Sequence, residues 1–225
     1  MTRALLILLL ACSVVHAEPA PPPGSPAWAE SADVTEHLGK TIPLDLVLTD
    51  SAGKKVPLRS LFDGTHPVLL VLAYYECPQL CSLVLDGASR AMRQLEGWGW
   101  SLGSRYRVVT ISFDENERPE QAARKQASML SAIGRRDPDA WPFLVGDSPS
   151  ISALTEALGF HFLRDPRTGT LAHTAVVFVL SPTGVISRYL YGIDYAARDL
   201  KLALLEASDG KTGSVGDKIL LRCFH

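Results

Sequence analysis

The sequence predicts an α/β domain with a mixed central sheet, flanking helices and an added hairpin. Three observations predict it. Pro67 to Tyr75 and Tyr106 to Phe113 are continuous apolar runs of buried-strand type. Each run is followed by apolar residues at helical spacing. Two further apolar segments flank Ser181-Pro182-Thr183-Gly184 and read as a hairpin. With 225 residues, 47% apolar and 20% charged, the chain suffices for a single core, since domains run to roughly 100–200 residues.

The chain begins Met-Thr-Arg, then runs from Ala4 to Ala11 without a charge. A short basic start and a short apolar stretch read as an export leader over residues 1–17, because a membrane span needs about 20 apolar residues. Val15-His16-Ala17 resembles a cleavage site, and Leu9-Leu10-Ala11-Cys12 resembles a lipoprotein box. Both readings place the domain outside the cytoplasm, in a periplasmic or periplasm-facing position, with membrane anchorage through the N-terminus under the second. Residues 18–37 form a Pro-rich tether. The folded domain is expected over 38–208 and a tail over 209–225.

Within the domain, Leu44, Leu46 and Leu48 alternate and the turn residues Asp50-Ser51-Ala52-Gly53 follow, which suggests a hairpin-like start. After the first buried run, Leu80, Val84, Leu85, Ala88, Ala91, Met92 and Leu95 mark a helix from Pro78, with proline in a first turn that tolerates it. The second run leads to a helix from Pro119 to Ile133, stopped by Gly134. Phe143 to Val145 is a short strand, and Ser148 is placed to cap a helix from Pro149 to Leu158. Phe160 and Phe162 alternate; Ala175 to Leu180 and Val185 to Tyr191 form the hairpin; Tyr195 to Ala207 is a last helix. This order is that of a thioredoxin-like fold with extra elements.

The formal net charge is −2, and no run of Lys and Arg offers the basic face that nucleic acid requires. Chemistry concentrates instead in Cys77-Pro78-Gln79-Leu80-Cys81 at a strand-to-helix junction. A cysteine there faces free N–H groups and the positive end of the helix dipole, which favours thiolate. Four residues along a helix separate Cα atoms by about 6 Å, so the pair can clamp a metal or close a redox disulfide. Thiol-disulfide enzymes of the thioredoxin type use C-x-x-C, and the extra residue here tilts the pair toward ligation. Two thiolates suit Cu(I) or Zn(II), and a nitrogen donor would complete a trigonal copper site.

Six histidines are available. His16 lies in the leader, His37 in the tether, His66 in a loop and His161 between two phenylalanines. His173 enters the strand Ala175 to Leu180 at the sheet end where the cysteine loop lies, and from the residues alone its ligand role stands level with a structural one.

Tyr74-Tyr75-Glu76-Cys77-Pro78-Gln79-Leu80-Cys81, then Ile111-Ser112-Phe113-Asp114-Glu115-Asn116-Glu117-Arg118-Pro119-Glu120, then His173-Thr174-Ala175-Val176, resemble the SCO/SenC family of copper chaperones over about Leu44 to Leu205. The resemblance implies a thioredoxin-like domain in which Cys77, Cys81 and His173 bind one copper ion, as Cu(I) or Cu(II). It implies delivery to the binuclear copper site of cytochrome c oxidase. The partners would be a copper-accepting oxidase subunit and a copper donor or thiol-disulfide reductant. Where thioredoxin-like enzymes carry a cis-proline facing the cysteines, this chain has His173-Thr174, which favours a ligand over a catalyst. The chain departs from the family's lead-in at Tyr75-Glu76 and from its Asp-Pro at Asp114-Glu115.

A chaperone turns over no substrate. An exported thiol-disulfide oxidoreductase using the same cysteines, and a redox or copper sensor, remain as alternatives. The acidic run Asp114-Glu115-Asn116-Glu117 reads as a solvated loop capping the next helix or as a docking surface beside the metal. Met92 and Met129 fall on core-like stripes and form no methionine cradle. Cys223 and His225 read first as structural residues, with a second weak site, a partner contact or the stump of a longer chain as the other readings.

Overall fold

The computed structural model describes residues 32–212. The leader, the tether up to residue 31, Cys12, His16, Cys223 and His225 lie outside the described residues. At the centre is β3 (Val68–Leu72), with all five residues buried. Its unbroken apolar run follows from cover on both faces. It pairs in parallel with β4 (Arg107–Ile111) and antiparallel with β8 (Val176–Leu180). Parallel neighbours need a crossover, and α1 (Leu80–Gly97) supplies it between β3 and β4.

From β4 the chain crosses through α2 (Pro119–Ala132) to the parallel strand β5 (Phe143–Val145). Beyond β5 lie β1 (Val47–Asp50) and β2 (Lys55–Pro57), the hairpin at the start of the domain. On the other side β9 (Ile186–Tyr191) pairs with β8. The sheet order is β2-β1-β5-β4-β3-β8-β9. With α3 (Ser148–Ala157) after β5 and α4 (Ala197–Ser208) closing the domain, this is the mixed, thioredoxin-like α/β architecture read from the sequence. α1 packs against both α2 and α4.

Three local expectations change. α1 begins at Leu80 with Gln79 at its N-cap, so Pro78 precedes the helix and is not in its first turn. α3 is capped by Asp147, whose carboxylate accepts the Ser150 N–H at 3.0 Å, and Ser148 is the first helical residue. Finally, β6 (Phe162–Arg164) and β7 (Leu171–His173) form a separate two-stranded sheet. Their three residues each are too short to show a period.

Two close approaches shape the site's surroundings. A Cβ on Gly87 would sit 2.1 Å from the Ile193 carbonyl oxygen, so glycine lets the β9–α4 loop lie directly on α1. Gly159, at φ +59°, likewise admits the Thr35 carbonyl. Residues 33–37, the last of the expected tether, are docked there: Val34 bridges Phe160, and the His37 ring donates from Nδ1 to the Ala157 carbonyl at 3.0 Å.

Candidate metal centre

The cysteine arm grows from the end of β3. Tyr74-Tyr75-Glu76-Cys77 makes a turn in which the Cys77 N–H donates to the Tyr74 carbonyl at 3.3 Å. α1 has no acidic residue in its first turn and no side-chain cap from Gln79. The Cys77 sulfur takes that place, accepting the Cys81 backbone N–H at 3.2 Å. Cys77 is therefore stabilised as thiolate, and its thiol is pulled down to about 3. The Cys81 thiol donating to it is the main cause, with the Cys81 N–H and the Tyr74 hydroxyl adding, and burial opposing. Burial, then the neighbouring Cys77 thiolate, pushes the Cys81 thiol far up. Without metal the pair thus holds one partly exposed thiolate and one buried thiol.

The histidine arm is the β6–β7 hairpin, where Phe162 lies opposite His173. His173 ends β7 and does not enter β8, as the sequence reading had it. Its Nδ1 lies 3.1 Å from the Thr174 carbonyl oxygen. A carbonyl only accepts, so Nδ1 carries the hydrogen and Nε2 presents its lone pair. Nε2 lies 3.2 Å from Cys81 Sγ. The imidazole packs on Phe113, with ring centroids 5.0 Å apart, on Phe160 at 5.9 Å and on Tyr74 at 6.3 Å. This apolar wall fixes the ring plane.

Cys77, Cys81 and His173 thus converge, with their three donor atoms all within 4.8 Å of one another. Two sulfurs and an imidazole nitrogen are a soft donor set, and the set fits one Cu(I) ion. The carbonyl that holds Nδ1–H is the outer-shell contact that such a ligand needs. The other described histidines stand elsewhere. His66 bonds Asp63 at 2.7 Å and the Ser104 carbonyl at 3.0 Å, and His161 lies 3.5 Å from Thr35 Oγ1. Met92 and Met129 are buried core residues.

The acidic run departs from both of its sequence readings at one residue. Glu117 is 7% exposed and turned inward. Its Oε2 accepts the Tyr75 N–H at 2.8 Å and the Ser112 hydroxyl at 2.6 Å, and its Oε1 accepts the Glu76 N–H at 2.8 Å. Burial raises its pKa, and these three donors oppose the rise. α2 is capped instead by Arg118 and Gln121, whose Oε1 accepts the Arg118 N–H at 2.7 Å. Nothing in the run Asp-Glu-Asn-Glu distinguishes the one carboxylate that turns inward. The aromatic wall left a fainter trace, the alternation of Phe160 and Phe162.

Residues 35–202 match the family model described as SCO1/SenC. No curated protein matches the sequence. Among solved structures, a candidate electron transfer protein of Aquifex aeolicus VF5 is 27% identical with a TM-score of 0.65, over 77% of this chain and 95% of that one. Two others share the fold at lower identity. ScoI of Arabidopsis thaliana with copper bound is 17% identical, TM-score 0.58, over 76% of this chain and 97% of its own. A SCO1/SenC family lipoprotein of Bacillus anthracis is 18% identical, TM-score 0.56, over 74% and 96%. The matched stretch, residues 35–202, exceeds half of the sequence and holds all three converging donors, and the chain belongs to the SCO1/SenC family.

Proposed function

We propose that the protein is an exported copper chaperone that carries one ion between Cys77, Cys81 and His173 and delivers it to the binuclear copper site of cytochrome c oxidase. The observation that carries this reading is the convergence of two sulfurs and an imidazole nitrogen within 4.8 Å. Family membership supports the choice of copper and recipient. The partly exposed Cys77 thiolate meets the incoming ion, Cys81 gives up its proton on joining, and the Nε2 lone pair of His173 completes the set. Release follows by exchange of these ligands for those of a recipient. The N-terminal segment would anchor the domain at the periplasmic face or be cleaved; the mass of the mature N-terminus separates acylated Cys12 from cleavage after Ala17.

Titration of the reduced protein with Cu(I) against a chromophoric chelator tests the reading. One equivalent should bind tightly, and a double variant Cys77→Ser, Cys81→Ser should bind none. Equal binding by the two proteins would sink the site. Copper should then appear on a copper-free oxidase subunit mixed with the loaded protein.

One observation favours a second reading, a thiol-disulfide oxidoreductase: Cys77 is partly exposed and Cys81 lies buried beside it. Cys77 thiolate would attack a partner's disulfide, releasing one partner thiolate and forming a mixed disulfide. Cys81 would then displace the second partner thiol, leaving a Cys77–Cys81 disulfide and a reduced partner, and a thiol reductant would restore the pair. Disulfide turnover that ignores His173→Ala selects this reading over carriage.

A further inference from the structure

The short turn after β4 touches both arms of the centre. On one side the Glu117 carboxylate binds the N–H groups of Tyr75 and Glu76, one on each oxygen. These are the two central peptides of the turn that Cys77 closes on Tyr74. The chain has left β3 by this point, so no strand supplies acceptors for them. Glutamine could not replace this carboxylate, because its NH2 would face one of the two N–H groups. On the other side Asp114 Oδ1 accepts from Arg164 at 2.7 Å, and Arg164 stands in β6 opposite Leu171 of β7, the strand that ends in His173. The turn is closed on itself: the Glu117 N–H donates to the Asp114 carbonyl at 3.1 Å, and the Ser112 hydroxyl meets both Glu117 and the Asp114 N–H.

We infer that Ser112–Glu117 is a brace that sets the two arms of the metal centre against each other, with Glu117 positioning Cys77 and Asp114, through Arg164, positioning His173. Neither residue is a ligand. The inference rests on the metal-carrying reading and adds to it the residues that fix the donor geometry. Glu117 holds the direction of the Cys77 side chain by holding the turn beneath it. Asp114 holds the hairpin at the distance where Nε2 meets Cys81.

Cu(I) affinity by chelator competition on the full chain, with Asp63→Asn as a destabilising control away from the cluster, provides the test. Glu117→Gln should weaken binding about tenfold or more, the usual loss for an outer-shell contact, and Arg164→Met by a similar or smaller factor. Asp63→Asn should leave affinity unchanged, so lost stability alone does not account for the effect. The background of His173→Ala separates the two arms. There Glu117→Gln should keep its full effect, and Arg164→Met should have none. Wild-type affinity in Glu117→Gln, or an undiminished Arg164→Met effect without His173, overturns the brace. Should Glu117→Gln not fold, Ser112→Ala removes one donor of the three and should weaken binding several-fold; an unchanged affinity counts against the inference. A wild-type chain that binds no Cu(I) would refute the metal reading separately. The brace is then read in the metal-free protein, where Glu117→Gln should speed amide exchange at Tyr75 and Glu76 and change the rate at which Cys77 reacts with an aromatic disulfide. Unchanged rates for both overturn it.

Discussion

The two arms of the metal centre are built from unequal material. Cys77 and Cys81 stand where β3, paired on both sides and wholly buried, meets an 18-residue helix. His173 stands on two three-residue strands that pair only with each other. β3 alone buries five aliphatic side chains, each worth about 1.5–3 kcal/mol relative to exposure. The hairpin relies on Leu171 in the core, the aromatic wall around His173 and the Arg164–Asp114 contact. Such a division would suit the proposed carrier: two sulfurs on the firm arm would keep the ion, and the imidazole on the lighter arm would be the ligand to exchange first.

The largest effect should come from the firm arm. Cys81→Ser puts a hard hydroxyl where a buried sulfur stood and should cost about a thousandfold in Cu(I) affinity, some 4 kcal/mol. Chelator competition measures it. His173→Ala should cost less, about a hundredfold, while leaving the bis-thiolate arm in place. Stopped-flow transfer to a chelator should show the difference as faster release from His173→Ala than from wild type. Equal losses in the two variants would break the comparison, because the imidazole would then hold the ion as firmly as the buried sulfur.

The same inequality explains what could be read from sequence. β3 and α1 are long enough to show their periods, so the strand, the helix and the placement of Cys77 and Cys81 between them were legible. The β6–β7 hairpin has no legible period, and His173 was placed one strand too late, at the entry to β8. Its nearness to Cys81, separated by 92 positions, is suggested by the sheet end they share and carried further by family resemblance, and not by any local pattern. Glu117 failed for another reason. A carboxylate in an acidic run reads as solvated, and only the unpaired N–H groups of Tyr75 and Glu76, created by the chain leaving the sheet, call one inward.

The smallest effect tests whether the firm arm is insulated from its own foot. Asp63, shortly before β3, accepts from the His66 and Thr65 N–H groups, the His66 ring and Arg107. Burial pushes its carboxyl upward, but these donors outweigh it and hold the group well below the usual carboxylate range. A folded-state pKa below the unfolded one means that the unfolded chain binds more protons as acid is added. The stabilisation is complete above the unfolded value of 3.8 and fades as pH falls toward the folded one. Asp63→Asn should therefore lower Tm at pH 7 by about 2–4 °C, a modest change because the group is partly solvated. The gap to wild type should narrow at pH 3, measured on the metal-free protein. Copper affinity at pH 7 should not change, since the substitution leaves β3 and its pairing intact. A loss of affinity in Asp63→Asn would show strain passing along β3 into the Cys77 turn, and the firm arm would then owe its hold to the whole strand and not to the junction alone.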